Sequence, residues 1–175
     1  MRELAALAEE LGTTDRTLRR AVAEGLIRAE RPTPRTIELT PAERVYLRRS
    51  WIRLAALRRV LRTEPNVETA VLFGSVARGT DHEGSDIDLL VVLRNDDLLA
   101  AVALELRLEE RLGAKVQVTR LADAQSSAAL LAEVLRDGRV LVERGSSWAR
   151  LRRQERRILR EAAAQVESAW AEILG

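Results

Sequence analysis

The chain has 175 residues, 46% apolar and 32% charged, with aromatics at only 3%, no cysteine and a formal net charge of +2. That length holds one domain or two small ones, around a core that must rest on Leu, Val, Ile and Ala. The lack of cysteine excludes disulfides and thiolate metal sites and suits an intracellular protein. No apolar run approaches the roughly 20 residues that span a bilayer, and the start, Met1 to Leu4, has no signal-peptide character. The chain therefore reads as cytoplasmic, with no membrane partner. The charge is uneven: residues 1–63 carry 14 Arg and 8 acids, residues 64–120 carry 6 basic and 11 acidic residues. A basic head beside an acidic centre suggests nucleic acid for the first and a cation for the second, with solvated helix faces as the plain alternative.

In chain order, Leu4, Leu7, Ala8 and Leu11 keep helical spacing up to Gly12. Thr13 or Thr14 can cap a second helix with Leu18, Ala21 and Val22 inside, stopped by Gly25. Ile27 to Glu30 and Thr36 to Leu39 read as short strands around Pro32-Thr33-Pro34. Thr40-Pro41-Ala42-Glu43 combines a capping box with proline at the first helical position, opening a helix to about Arg62. Thr63 to Asn66, with Pro65, marks a boundary. Beyond it, Thr69 to Phe73 and Ile87 to Leu93 read as strands, the second apolar enough for a central position. Asn95 or Asp96 caps a helix to about Leu112, ended by Gly113. Ala114 to Thr119 alternates as a strand, Asp123 to Arg136 is helical, and Arg139 to Val142 is a fourth strand. Ser147 to Leu174 spaces Leu151, Ile158, Ala162, Val166 and Ile173 along one helical face. The organisation is a head over 1–63 with its linker helix, a central domain over 64–145, and a C-terminal amphipathic helix over 146–175.

The chemistry concentrates at Phe73-Gly74-Ser75 and Ser85-Asp86-Ile87-Asp88-Leu89. Gly74 lets the backbone approach a bulky anion, and Ser75 with exposed amides can bond phosphate at the following helix start. Asp86 and Asp88, two apart on a strand, project from one face about 7 Å apart. Two carboxylates opposite a phosphate cradle suit Mg²⁺, which completes its shell with water and substrate phosphate. Two such ions could align a nucleophile with an α-phosphate and neutralise the leaving pyrophosphate.

Gly74-Ser75, ten intervening residues and Asp86-x-Asp88 resemble the signature of the minimal nucleotidyltransferases of the DNA polymerase beta superfamily. Leu72 to Gly79 and Ser85 to Leu89 match its flanking pattern. The resemblance implies an α/β (α+β) fold with a small mixed sheet flanked by helices. It also implies a glycine-serine loop gripping ATP or another triphosphate, and Asp86 and Asp88 as catalytic carriers of Mg²⁺ or Mn²⁺. Arg78 and Ser85 join Gly74 and Ser75 as nucleotide-binding candidates, Arg78 being equally readable as a surface arginine. His82, the one histidine, reads as an exposed loop residue. The family places a third carboxylate in the next strand, where this chain has Val116-Gln117-Val118. Gln117 is neutral and cannot act as a base, so triphosphate binding is expected and fast catalysis is not.

Residues 2–40 resemble a winged helix-turn-helix module. Thr14, Arg16, Thr17, Arg19 and Arg20 lie away from the core side of its second helix, and Arg31 and Arg35 flank the wing tip. Such side chains reach phosphates and base edges of double-stranded DNA; dimerisation, giving a homodimer, is the other use such a head could have. Arg150 to Arg160 crowd the last helix, as a solvated face or as a dock for an acidic partner. Small domains of this kind resemble the antitoxin halves of toxin–antitoxin pairs, some of which transfer AMP to a partner protein; others in the superfamily modify small molecules. The expected function is an autoregulating, DNA-binding nucleotidyltransferase with a cognate toxin as partner. The alternatives are a transcriptional regulator whose transferase domain has decayed into a nucleotide sensor, and an antitoxin that works by binding alone.

Overall fold

Apolar residues on both sides of the strand Ile87–Leu93 send their side chains into two different cores, and the architecture follows from that division. The computed structural model describes residues 2–33 and 36–174. Its central sheet contains β3 (Val67–Phe73), β4 (Ile87–Leu93), β5 (Val116–Arg120) and β6 (Arg139–Glu143), in the order β5-β4-β3-β6. The smaller ribbon holds β1 (Glu30–Thr33) and β2 (Thr36–Glu38). Strands β4 and β5 run parallel while β3 is antiparallel to both its neighbours, so the central sheet is mixed. This is an α/β fold with helices on both faces.

On one face Ile87, Leu89 and Val91 join Leu47, Leu54, Leu57 and Leu61 of α3 (Pro41–Arg62) and Leu104 and Leu108 of α5 (Leu98–Leu112). The same core continues without a break into α1 (Arg2–Glu10) and α2 (Asp15–Ala23), through Leu4, Leu7, Leu18 and Leu26. On the other face Val71, Phe73 and Leu90 pack against Leu131, Val134 and Leu135 of α7 (Ala128–Asp137), which follows the short α6 (Leu121–Ala124). α8 (Ser147–Arg153) and α9 (Glu155–Leu174) cover α7 through Leu151, Ile158 and Ala162. The helix expected over Ser147 to Leu174 is thus two, parted at Gln154. Past Ala162 the expected inner face opens to solvent, with Val166 and Trp170 51% and 59% exposed. Among the described residues no helix is long and apolar enough to cross a membrane.

Two local differences from the sequence reading have clear causes. Leu26 and Ile27, expected near or in the first ribbon strand, bond their amides to Ala21 and plug the core beneath α2. The ribbon therefore begins three residues late, at Glu30. At the start of α3 the capping box is half built: the Thr40 hydroxyl accepts from the Glu43 amide at 3.1 Å. The Glu43 carboxylate, which would return to the cap in a full box, instead accepts from the Arg28 amide and from Arg139. The wing-tip residues Pro34 and Arg35 lie outside the described residues.

Candidate nucleotide-binding site

Strand β3 ends at Phe73, whose register partner across the antiparallel pair is Asp88 of β4. The chain then turns through Gly74 at φ +72° into α4 (Gly74–Arg78). A side chain at Gly74 would be excluded twice, by the left-handed backbone and because its Cβ would overlap the Asp88 carboxylate. The turn and the second aspartate are thereby in direct apposition, with Ser75 half-buried immediately beyond.

Asp86 is exposed and Asp88 half-buried, while the intervening Ile87 enters the opposite core, so both aspartates share the outward side of β4. In the parallel pair Asp88 is registered against Gln117. Neighbours in register point to the same side of a sheet, which puts Gln117 beside Asp88, in the position where the family resemblance implies a third carboxylate. Among the described residues no group of three or more His, Cys, Asp or Glu could hold a metal ion. Two carboxylates on one strand fit a cation that arrives with triphosphate oxygens and water as its other ligands, and do not form a closed metal cage.

Arg78, at the end of α4, is clamped. Its Nη1 donates to Glu133 at 2.9 Å and to Asp137 at 2.7 Å, two acids one turn apart on α7. Burial pushes the Asp88 pKa above the ordinary carboxylate value; Glu133 and then Asp86 push the same way, and Arg78 opposes them. Glu133 is therefore an electrostatic member of this site that motif reading missed. The available signal was an i, i+4 acidic pair on a mostly apolar helix, but only the fold brings it to Arg78. Ser85 is tied into the loop, its hydroxyl accepting from the His82 amide at 3.0 Å, and it lines a cavity of about 640 Å³ with Arg49, Arg53, His82 and Lys115.

In the head, the Thr14 hydroxyl caps α2 by accepting from the Thr17 amide at 3.1 Å. Arg19 pairs with Asp15 and Arg20 with Glu24, each at 2.6 Å along the same helix. Arg16 is exposed, as is Arg31 on β1. Arg58 and Arg62 of α3 also converge on Glu24. Burial, then the charges of Arg62 and Arg20, lower the Arg58 pKa to about 10.

Residues 56–147 match the polymerase beta nucleotidyltransferase family. The chain belongs to that family. No curated protein matches the sequence. Among solved structures, one described as a toxin–antitoxin with AMP-PNP is similar at 23% identity and TM-score 0.57, covering 70% of this chain and 98% of that one. The MntA–HepT toxin–antitoxin is similar at 20% identity and TM-score 0.54, over 71% of this chain and 99% of that one. A structure of the tri-AMPylated Shewanella oneidensis HEPN toxin in complex with MNT antitoxin is similar at 20% identity and TM-score 0.51, over 71% and 95%. At these identities the likeness is one of fold, in agreement with a polymerase-beta-like nucleotidyltransferase domain.

Proposed function

We propose that this nucleotidyltransferase-family protein binds a metal-bound nucleoside triphosphate on Gly74, Ser75, Asp86 and Asp88 and transfers a nucleotidyl group, AMP, to a protein acceptor. The acceptor of this reading is a cognate toxin, as in the complexes whose fold it shares. The basic head would bind operator DNA, making the protein an autoregulating antitoxin. The reading divides the chain into a DNA-binding head (1–63), the transferase domain (64–145) and the C-terminal helical segment (146–175). The observation that carries it is the apposition of the Gly74 turn and the Asp88 carboxylate, with no room for a side chain between them. Such close approach puts the start of α4 directly beside one of the two carboxylates, so that a cation on Asp86 and Asp88 and the phosphate it carries would meet both at the rim of that contact.

In the reaction so read, an acceptor hydroxyl oxygen bonds to the α-phosphorus, its proton passes to water, and the α-phosphorus to bridging-oxygen bond breaks to release pyrophosphate. Mg²⁺ or Mn²⁺ on Asp86 and Asp88 would neutralise charge on the triphosphate. The Gly74–Ser75 turn would hold the phosphates, and Arg78 would reach them after exchanging its bonds to Glu133 and Asp137. Gln117 cannot take a proton, so transfer is slow.

The second reading, a regulator that senses nucleotide without turning it over, is favoured by Gln117 standing in register with Asp88. One experiment separates the two. Calorimetry with Mg-ATP should give binding that Asp86→Ala with Asp88→Ala abolishes, and radiolabel transfer from ATP to the cognate toxin should be slow in the wild type. Gln117→Asp should raise that rate by roughly 10²–10⁴-fold. Binding with no transfer by either protein supports the sensor; binding that survives the double substitution removes the metal site.

A further inference from the structure

The Gly74–Ser75 turn is held from behind. Along α3, Tyr46, Arg49 and Arg53 all face the segment that joins the two halves of the motif. The Tyr46 hydroxyl donates to the Val76 carbonyl at 3.2 Å, Arg49 donates to the carbonyls of Gly79 and Asp81 at 3.2 and 3.0 Å, and Arg53 pairs with Asp81 at 2.7 Å. The next carbonyl after Val76, that of Ala77, accepts from Arg139 Nε at 2.8 Å. Two consecutive carbonyls at the end of α4 are thus taken by side chains of α3 and β6, the Val76 carbonyl also accepting from the Gly79 amide at 3.3 Å.

Arg139 is only 1% exposed and forks onto both oxygens of Glu43, at 2.6 and 2.9 Å, with its guanidinium carbon 3.7 Å from the centre of the Tyr46 ring. Its Nη1 also donates to the Leu26 carbonyl at 3.3 Å. A planar guanidinium satisfied by a two-pronged carboxylate and stacked on an aromatic face has one geometry open to it. Gly79 fits the same constraint: at φ +77°, its missing Cβ would stand 2.8 Å from the Tyr46 ring. Glu43 is the residue that abandoned its capping-box role to reach this fork.

We propose that Glu43, Tyr46 and Arg139 are positioning residues for the nucleotide site. Resting on the nucleotide site proposed above, the three set α4 so that the Gly74–Ser75 turn stands against Asp88, although none of them would touch the nucleotide. The same fork holds the head, through the Leu26 carbonyl and the Arg28 amide, so the head's seat and the phosphate turn share one carboxylate and one guanidinium.

The test compares Mg-ATP and Mg-pyrophosphate affinities of the full chain by calorimetry, well below the melting temperature. Tyr46→Phe removes only the bond to Val76 and keeps the ring on Arg139; it should weaken both ligands about 3–10-fold, the worth of one hydrogen bond. Glu43→Gln should weaken them further. Ile158→Val, in the core between α9 and α7, serves as a control for stability alone and should lower the melting temperature without changing either affinity. Should Glu43→Gln not fold, Tyr46→Phe still decides the matter. Wild-type affinity in Tyr46→Phe, or an equal loss in Ile158→Val, would overturn the positioning role alone. A wild type that binds neither ligand would remove the nucleotide site and this inference with it.

Discussion

The turn at Gly74 and the helix α2 both collect the residues that the sequence nominates for function, and the fold treats them in opposite ways. At the turn, strand register brings Phe73 against Asp88 and Asp88 against Gln117, so side chains from three strands share one place and leave Asp88 burdened by burial and by Glu133. On α2 Arg19 pairs with Asp15 along the helix, Arg20 shares Glu24 with Arg58 and Arg62 of α3, and Arg16 is exposed. Exposed i, i+4 pairs of that kind are weak, typically about 0.3–0.5 kcal/mol, and open readily to a better anion. A buried, charge-loaded carboxylate is in keeping with the proposed cation-binding role, and the arginines of α2 remain at a surface where the proposed DNA contact would only have to exchange weak pairs.

Three perturbations sharpen that contrast. The largest effect is expected from Gly74→Ala, which meets left-handed strain of about 1–2 kcal/mol and displaces the Asp88 carboxylate. Mg-ATP affinity should fall by roughly 100-fold or more, the equivalent of about 3 kcal/mol, in a protein that still folds by circular dichroism. Retained affinity would show that the apposition of turn and carboxylate is not the binding element.

A smaller effect is expected on α2. Gel shifts of the chain with its own promoter should weaken about tenfold for Arg16→Ala and about fivefold for Arg19→Ala, whose phosphate contact must first displace Asp15 at about 0.3–0.5 kcal/mol. Each lost phosphate contact should lower the slope of log affinity against log salt by about 0.9. Absence of binding to any duplex at low salt would assign the head to assembly.

The smallest effect concerns stability. Asp88 has a folded-state pKa raised above its ordinary value, so its charged form is disfavoured by the fold. That cost is absent below the ordinary carboxylate range and grows as pH rises through the raised value. Asp88→Asn should therefore raise the melting temperature by up to about 2 °C at neutral pH and by nothing in acid, while removing Mg-ATP binding. A lower melting temperature at neutral pH would show that Asp88 is held by bonds favouring its charge.

Local sequence determined the glycine turn with its two aspartates, the apolar β4 and the α3 cap at Thr40, because each depends on short-range periodicity, capping chemistry or glycine backbone freedom. Gln117 was marked by the family resemblance, and strand register set it beside Asp88. Local spacing could not reveal that Glu43 leaves its cap for Arg139, that Leu26 and Ile27 plug a core, or that the last helix parts at Gln154. Nor could it show that Glu133 and Asp137 clamp Arg78. Those arrangements join residues as far as 96 positions apart in the chain, and a buried charge takes whichever partner the packed elements bring within reach. Only the tertiary structure decides which partner that is.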